Sequence, residues 1–187
     1  RMVMSASTLR HLEVFENYRG ERQGSLIGAI DRTKTSGGAR LLKSWLQFPL
    51  NDLQAIEERL EHVADWYEKD LVRKNLRQAL SGVGDLPRRL GKINQPSRGP
   101  RDLQSLAQSL EAGLRAWDEA TSIKAVSVDE IARVVKLVVK EIERVIADES
   151  PVYVRQGGAI KLGANAALDE LIELSTNSSR LVLELEA

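Results

Sequence analysis

The chain has 187 residues, which suits one domain or a domain with an appendage, and 42% of them are hydrophobic. Three Trp, three Tyr and two Phe are its only aromatic residues, so aliphatic side chains must build the core, which favours packed helices. Lysine plus arginine and aspartate plus glutamate balance at 27 each. This balance argues against a dedicated DNA-binding module, because affinity for nucleic acid comes largely from phosphate neutralisation.

Cysteine is absent and there are two histidines, which excludes a disulfide framework and a thiolate or histidine zinc site. No apolar run approaches the roughly 20 residues that cross a bilayer. We therefore expect an intracellular protein that is not an enzyme by itself.

The first fifty residues predict a helix, a polar turn, a second helix and a stop. Ser7 or Thr8 is placed to cap the first helix, and a short helix is expected around residues 26–30. Apolar spacings of three and four predict a further helix over residues 39–48, which Pro49 ends because it lacks an amide hydrogen. The predicted apolar face of that helix consists of Leu41, Leu42, Trp45 and Leu46.

The turn before this helix is rich in small polar residues. Asp31, Thr33 and Thr35 have side chains that hydrogen-bond nearby backbone amides. Gly37 and Gly38 allow a close backbone approach or a positive φ. The spacings alone fit an ordinary joint of a helical hairpin equally well.

The middle of the chain predicts three more helices. Asn51 is expected to begin the first, with Gln54 as its capping-box partner, and Asp70 and Asp85 are expected to cap the next two. The first of these helices carries an apolar stripe formed by Leu53, Ile56, Leu60, Val63 and Tyr67.

The last third predicts three helices and one possible β element. A helix with apolar positions from Leu103 to Trp117 follows a loop at 95–100, and Ser127 with Glu130 forms a capping box for the next. The apolar face expected to be buried there comprises Ile131, Val135, Val138, Ile142 and Val145. Residues 152–162 predict a small hairpin or an extended loop.

The last helix is predicted from Asn165, and its middle, 175–179, lacks an apolar face, so we expect this stretch to fray or to pack on a neighbouring copy. The periodicity as a whole predicts an all-α fold, an irregular multi-helix bundle with long helices and at most one small β-hairpin.

No constellation for catalysis stands out. A phosphate-loop motif is missing, and the Gly20–Ser25 stretch lacks its lysine and a preceding strand. We interpret the densest basic region as solvated helix surface rather than a phosphate contact. It comprises Arg73, Lys74, Arg77, Arg88, Arg89, Lys92, Arg98 and Arg101.

The run from Gly24 to Asp52 resembles the opening of the core, or lever, domain (domain III) of the MutS family of DNA mismatch repair ATPases. Similarity extends to Thr8-Leu9-Arg10-His11-Leu12-Glu13, which is similar to the family's Thr-Leu-x-x-Leu-Glu pattern. The family has Asp where Ser5 stands, and an aromatic residue is usual where Gly84 stands. The motif residues that we single out as structural are Thr8, Glu13, Asp31, Thr33, Thr35, Gly38, Arg40, Trp45 and Pro49.

The resemblance implies a division of the chain and a mechanical role. Residues 1–164 would form a helical core domain, and residues 165–187 would form the ascending lever helix that leads toward a clamp domain. We expect the chain to be the first part of a discontinuous core domain. Such a domain links the DNA clamp and mismatched-DNA binding to the ATPase domain.

The resemblance also implies where ligands and partners belong. No catalytic, cofactor or metal residue is expected here, since ATP and magnesium would bind elsewhere in the full-length protein. The implied partners are mismatched duplex DNA through the full-length protein, a homodimer partner subunit and a MutL-type repair partner, with no membrane. The implied location is the cytoplasm, in association with the nucleoid.

Two alternative functions stay open. One is a generic helical scaffold or partner-binding bundle, although such a bundle has no reason to keep Asp31, Thr33, Thr35, Gly38 and Arg40 in this order. The other is the core domain of a clamp-less MutS relative that acts in recombination.

Overall fold

The computed structural model describes residues 2–121 and 129–185, and this part of the chain is helical. The predicted all-α fold is confirmed. The helices are α1 (Ala6–His11), α2 (Leu26–Ile30), α3 (Ser36–Gln47), α4 (Leu53–Glu68), α5 (Asp70–Leu80), α6 (Leu86–Ile93), α7 (Pro100–Thr121), α8 (Asp129–Val145) and α9 (Ala166–Leu185).

Helix α7 is the centre of the fold. Its 22 residues span about 33 Å at about 1.5 Å per residue, and α5, α6 and α8 all pack against it. Its buried positions include Leu106, Ala107, Ala112 and Ala116, and the small side chains let neighbouring helices approach closely. Helix α4 lies at the edge of the body formed by α5, α6, α7 and α8, where it packs against α5.

Side-chain caps fix where several helices begin, and three of the predicted caps, those of α1, α4 and α5, are wrong. Ser5, not Ser7 or Thr8, caps α1 by accepting a hydrogen bond of 3.1 Å from the Thr8 amide. Serine and aspartate are both favourable N-caps, so Ser5 fills the role that the family's aspartate suggests. Asp52, not Asn51, caps α4, and its carboxylate accepts from the Ala55 amide at 2.9 Å.

Of the two aspartates predicted to cap α5 and α6, only one does so. Asp85 caps α6 as predicted. Asp70 is the first residue of α5 rather than its cap, and its carboxylate pairs instead with Arg73 and Lys74 of the next turn. The predicted capping residue Ser127 lies outside the described residues.

The inner face of α8 differs from the predicted stripe. Val139 is its most buried residue, and Val135 and Ile142 lie beside it toward α7, whereas Ile131 and Val138 are exposed. A helical stripe is broad, and only the packing against α7 selects which part of it is covered.

Of the two alternatives predicted for residues 152–162, the small hairpin does not form, and the segment is a loop that contains one helical turn. Val154–Gln156 is a short 3-10 helix, and Gly157 and Gly158 follow with φ of +75° and +69°. Ile160 makes an isolated antiparallel bridge with Ile146 at the end of α8. The end of this segment pairs with the end of α8: the Lys161 amide donates to the Val145 carbonyl at 2.9 Å, and the Ala147 amide donates to the Ala159 carbonyl at 3.0 Å.

Helix α9 continues through residues 175–179, the stretch that lacks an apolar face. Residues 175–178 are exposed, and the Thr176 hydroxyl donates to the Ile172 carbonyl at 2.8 Å. The division of the chain between residues 164 and 165 stays a prediction, as does the fraying of this stretch. In the described ranges, no helix is long and apolar enough to cross a membrane.

Candidate functional site: a polar joint between helices

The motif residues surround a compact connection between α1 and α3, which we call the joint and define as residues 13–35. It opens at Glu13, a non-glycine residue with φ of +49°. The Glu13 carboxylate accepts from the Tyr18 amide at 2.7 Å, and its carbonyl accepts from the Leu26 amide at 3.0 Å. These two hydrogen bonds hold the chain in its reversed path, so that α2 returns alongside the end of α1.

Thr8 supports the same turn from within α1. Its hydroxyl lies 2.9 Å from the Ser5 hydroxyl, and its carbonyl accepts from the Leu12 amide at 3.0 Å. Thr8 therefore helps to hold both ends of a helix of only six residues.

Ser25 is the buried hydrogen-bonding centre of the joint. Only 1% of the residue is exposed. Its hydroxyl donates to the Arg22 carbonyl at 2.6 Å and caps α2 by accepting from the Gly28 amide at 3.2 Å. A Cβ atom on Gly28 would lie 2.2 Å from the same Arg22 carbonyl oxygen. Glycine at position 28 is therefore required by the close approach of two backbone segments.

Asp31 organises the polar turn that follows α2. Its carboxylate accepts from the Thr33 amide at 2.9 Å and from the Thr33 hydroxyl at 2.7 Å, and it pairs with Arg22. The hydroxyl and amide of Thr33, followed by the Arg22 guanidinium, lower the pKa of Asp31. The prediction that the side chain binds a nearby backbone amide is confirmed for Asp31, whereas the Thr33 hydroxyl donates to the Asp31 carboxylate instead.

Thr35 and Gly38 form the entry to α3. The Thr35 hydroxyl accepts from the Gly38 amide at 3.0 Å and caps the helix. A Cβ atom on Gly38 would lie 3.1 Å from that hydroxyl oxygen, so glycine here serves a close approach. Neither Gly37 nor Gly38 has a positive φ; both lie in the first turn of α3.

Arg40 connects α3 to α6. Its guanidinium forms a two-pronged pair with the Asp85 carboxylate, with N–O distances of 2.7 and 3.2 Å. The same carboxylate caps α6 by accepting from the Arg88 amide, and Ser36 also hydrogen-bonds to it. These contacts, led by the hydrogen bond from Arg40, lower the pKa of Asp85 to about 2.

A second guanidinium connects the joint to α5. Arg77 donates to the Arg32 carbonyl at 2.9 Å. Since α5 and α6 both pack on α7, the Arg77 and Arg40 contacts attach the joint and α3 to the central body.

Trp45 and Pro49 complete the motif at the end of α3. Trp45 is 38% exposed, and the Arg59 guanidinium of α4 lies 3.9 Å from its ring centroid. Leu42 and Leu46 are half-buried while Leu41 is exposed, so the predicted apolar face is only partly covered. Helix α3 ends at Gln47, as the proline predicts, and the Pro49 carbonyl accepts from the Met2 amide at 2.8 Å.

Seven of the nine motif residues use their side chains to contact other residues of this chain: Thr8, Glu13, Asp31, Thr33, Thr35, Arg40 and Trp45. A cleft of about 410 Å³ lies beside the joint, lined in part by Phe15, Asp31 and Arg40. Within the described residues there is no group of three or more His, Asp or Glu side chains that could hold a metal ion. The chemistry of the joint is therefore positional: it sets the angle between short helices and ties them to the body.

Most residues of the basic region between Arg73 and Arg101 contact other residues of this chain. Arg73 and Lys74 pair with Asp70, and Lys92 pairs with Asp102 at 2.7 Å. Two further members donate to backbone carbonyls of distant segments. These contacts agree with the interpretation of the cluster as helix surface.

Sequence reasoning identified Arg40 and Asp85 separately but missed that they pair. The two residues are 45 positions apart, and neither spacing nor periodicity relates them. The contributions of Arg22 and Arg77 were missed for the same reason, since each acts on a partner in another segment.

Comparison with known proteins gives the class to which this arrangement belongs. The family description "MutS domain III" matches residues 7–185. The chain belongs to this family.

Relatives from distant organisms extend the match. The DNA mismatch repair protein MutS of Methanosarcina barkeri is 37% identical over 194 residues, which cover 99% of this chain and 21% of that protein. The MutS protein of Symbiobacterium thermophilum is 37% identical over 190 residues, covering 100% of the chain and 22% of the relative. That of Myxococcus xanthus is 35% identical, covering 99% and 21%. The chain thus spans about a fifth of the length of the curated relatives that it matches.

Proposed function

We propose that this chain is the structural lever domain of a MutS-type DNA mismatch repair ATPase, in which it links mismatched-DNA binding and the clamp to the ATPase domain. Membership of the MutS domain III family supports this assignment. The relatives named above are all mismatch repair proteins, which favours the repair branch over a clamp-less recombination branch. In the same proposal, the ATP, magnesium, mismatched DNA, second subunit and MutL-type partner all belong to the longer protein.

The lever role is supported by the way in which the joint is attached to the helices that pack around α7. Extensive helix packing is concentrated on α7, whereas the joint and α3 reach α5 and α6 through the guanidinium contacts of Arg77 and Arg40. A rigid helix of about 33 Å with a polar connection at its side can transmit a displacement from one end to the other. Allosteric coupling requires two distant sites that bias such a connection.

The test measures the coupling between DNA binding and ATP hydrolysis separately from each of these two activities. In the full-length protein that carries this chain, Arg40→Ala is compared with Arg133→Ala, an exposed arginine of α8 outside the motif. Basal ATP hydrolysis and affinity for a mismatched duplex are measured separately, followed by the change in hydrolysis when that duplex is added.

We expect Arg40→Ala to keep both separate activities and to reduce the response to mismatched DNA several-fold, while Arg133→Ala behaves like the parent. A response to mismatched DNA in Arg40→Ala equal to that of the control would refute the lever role of this contact.

A further inference from the structure

Helix α9 is joined to the rest of the fold by four residues, 162–165, which we call the linker. The segment before the linker is fixed to the end of α8, because Ile160 bridges Ile146 and the neighbouring amides and carbonyls are paired. Within the linker, Gly163 has φ of +83°. Glycine readily adopts this left-handed conformation, which suits a tight turn. The direction of α9 relative to α8 is therefore decided within the linker.

A guanidinium from α8 holds the linker from the side of the body. Arg144 donates through Nη1 to the Ala164 carbonyl at 3.2 Å. Its Nε and Nη2 atoms donate to the two carboxylate oxygens of Glu141 at 2.9 and 2.7 Å. Because the guanidinium is planar and rigid, this two-pronged pair fixes the direction in which Nη1 points. The hydrogen bond between the two side chains lowers the pKa of Glu141 and raises the pKa of Arg144, so both stay charged at neutral pH.

The first turn of α9 holds the linker from the opposite side. The Asp169 carboxylate accepts from the Gly163 amide at 2.9 Å. The Asn165 side chain accepts from the Leu168 amide at 3.1 Å, which is an N-cap contact that stays within the start of the helix. Asp169, by contrast, reaches back into the linker. Asp169 and Arg144 therefore hold adjacent residues of the linker, one from each helix.

We infer that Arg144, which Glu141 holds in place, and Asp169 together set the direction in which α9 leaves the body, and that removing either one lets α9 swing about the linker. Among the described residues, α9 is not one of the helices that pack extensively on a neighbour, so the restraint that this chain supplies is concentrated at the linker. Each contact joins two residues of this chain. The inference therefore depends neither on what covers the outer turns of α9 nor on the lever role.

The test is a distance measurement between α9 and the body. The chain has no cysteine, so Asp118→Cys on α7 and Glu173→Cys on α9, both at exposed positions, place two nitroxide labels at known sites. Double electron–electron resonance gives the distribution of distances between the labels. Position 173 lies about 12 Å along the helix from Asn165 at about 1.5 Å per residue, so a swing of about 15° at the linker moves it by about 3 Å.

Variants on both sides of the linker identify the residues responsible. We expect Arg144→Ala and Asp169→Ala each to shift or widen the distribution by about 3 Å or more. Arg144→Lys keeps a donor but loses the two-pronged pair, so it should fall between the parent and Arg144→Ala. The matched control is Lys161→Ala, which removes an ion pair of 2.7 Å with Asp148 on the body side of the linker and should leave the distribution unchanged. Circular dichroism checks that each variant keeps its helices.

Three outcomes would overturn the inference. The first is a distribution like that of the parent in Arg144→Ala or in Asp169→Ala. The second is an equal change in Lys161→Ala, because the whole end of α8 would then have loosened. The third is a loss of helical signal that accompanies the change in distance, because α9 would then have unfolded rather than turned.

Discussion

Replacing Gly28 by alanine should destabilise the protein, although alanine is normally the better residue in a helix. The added Cβ would lie 2.2 Å from the Arg22 carbonyl oxygen, whereas an ordinary carbon–oxygen contact is about 3.3 Å. One backbone segment must therefore move by about 1 Å. Overpacking of this kind costs about 1–3 kcal/mol.

The displacement also disturbs a buried hydrogen bond. The Arg22 carbonyl accepts from the hydroxyl of Ser25, and leaving such a group unsatisfied costs about 1–3 kcal/mol. The helix preference for alanine offsets about 1 kcal/mol of this. We expect a net loss of about 1–5 kcal/mol in the free energy of unfolding.

The assay is urea unfolding followed by far-ultraviolet circular dichroism. Gly91→Ala in α6 is the matched control, since a Cβ there meets no atom within 4 Å. That variant should gain up to about 1 kcal/mol. If Gly28→Ala proved as stable as Gly91→Ala, the close approach between α2 and the Arg22 carbonyl would not be the constraint that we describe.

Three further predictions concern the Arg40–Asp85 pair, Trp45 and helix α9. Asp85 has a pKa lowered to about 2 from 3.8, so its contribution to stability is complete above about pH 3.8 and is lost as pH falls through about 2. NMR titration of its carboxyl carbon should give a midpoint near 2 that rises toward 3.8 in Arg40→Ala, and an unchanged midpoint would contradict the pairing. Arg59→Ala should alter the fluorescence of Trp45 because the stacked guanidinium is removed, whereas Arg133→Ala should not. Amide hydrogen exchange should be faster across residues 175–178 than in the middle of α7, and strong protection of that stretch in a monomer would refute the expected fraying.

Local chemistry allowed the sequence to predict the helices and the turn. Proline after α3, the cap at Asp85 and the short polar side chains of Asp31 and Thr33 act on residues within a few positions, so their effects can be read from the order of residues. The same reasoning missed caps by one to three residues, because Ser5 and Ser7 are chemically equivalent candidates. For residues 152–162 the sequence left a small hairpin and an extended loop open, and the hairpin does not form because residues near Ile160 pair with the end of α8.

The sequence alone determined an all-helical protein with a polar joint, and the motif of that joint carried the resemblance that the family match confirmed. Only the tertiary structure decided that Arg40 reaches Asp85, that Gly28 must be small, and that Leu53, Leu60, Val63 and Tyr67 of α4 are exposed. The physical reason is that caps and periodicity depend on neighbours along the chain. Pairing across 45 residues and the choice of which apolar face is covered depend on how α5, α6 and α8 pack around α7.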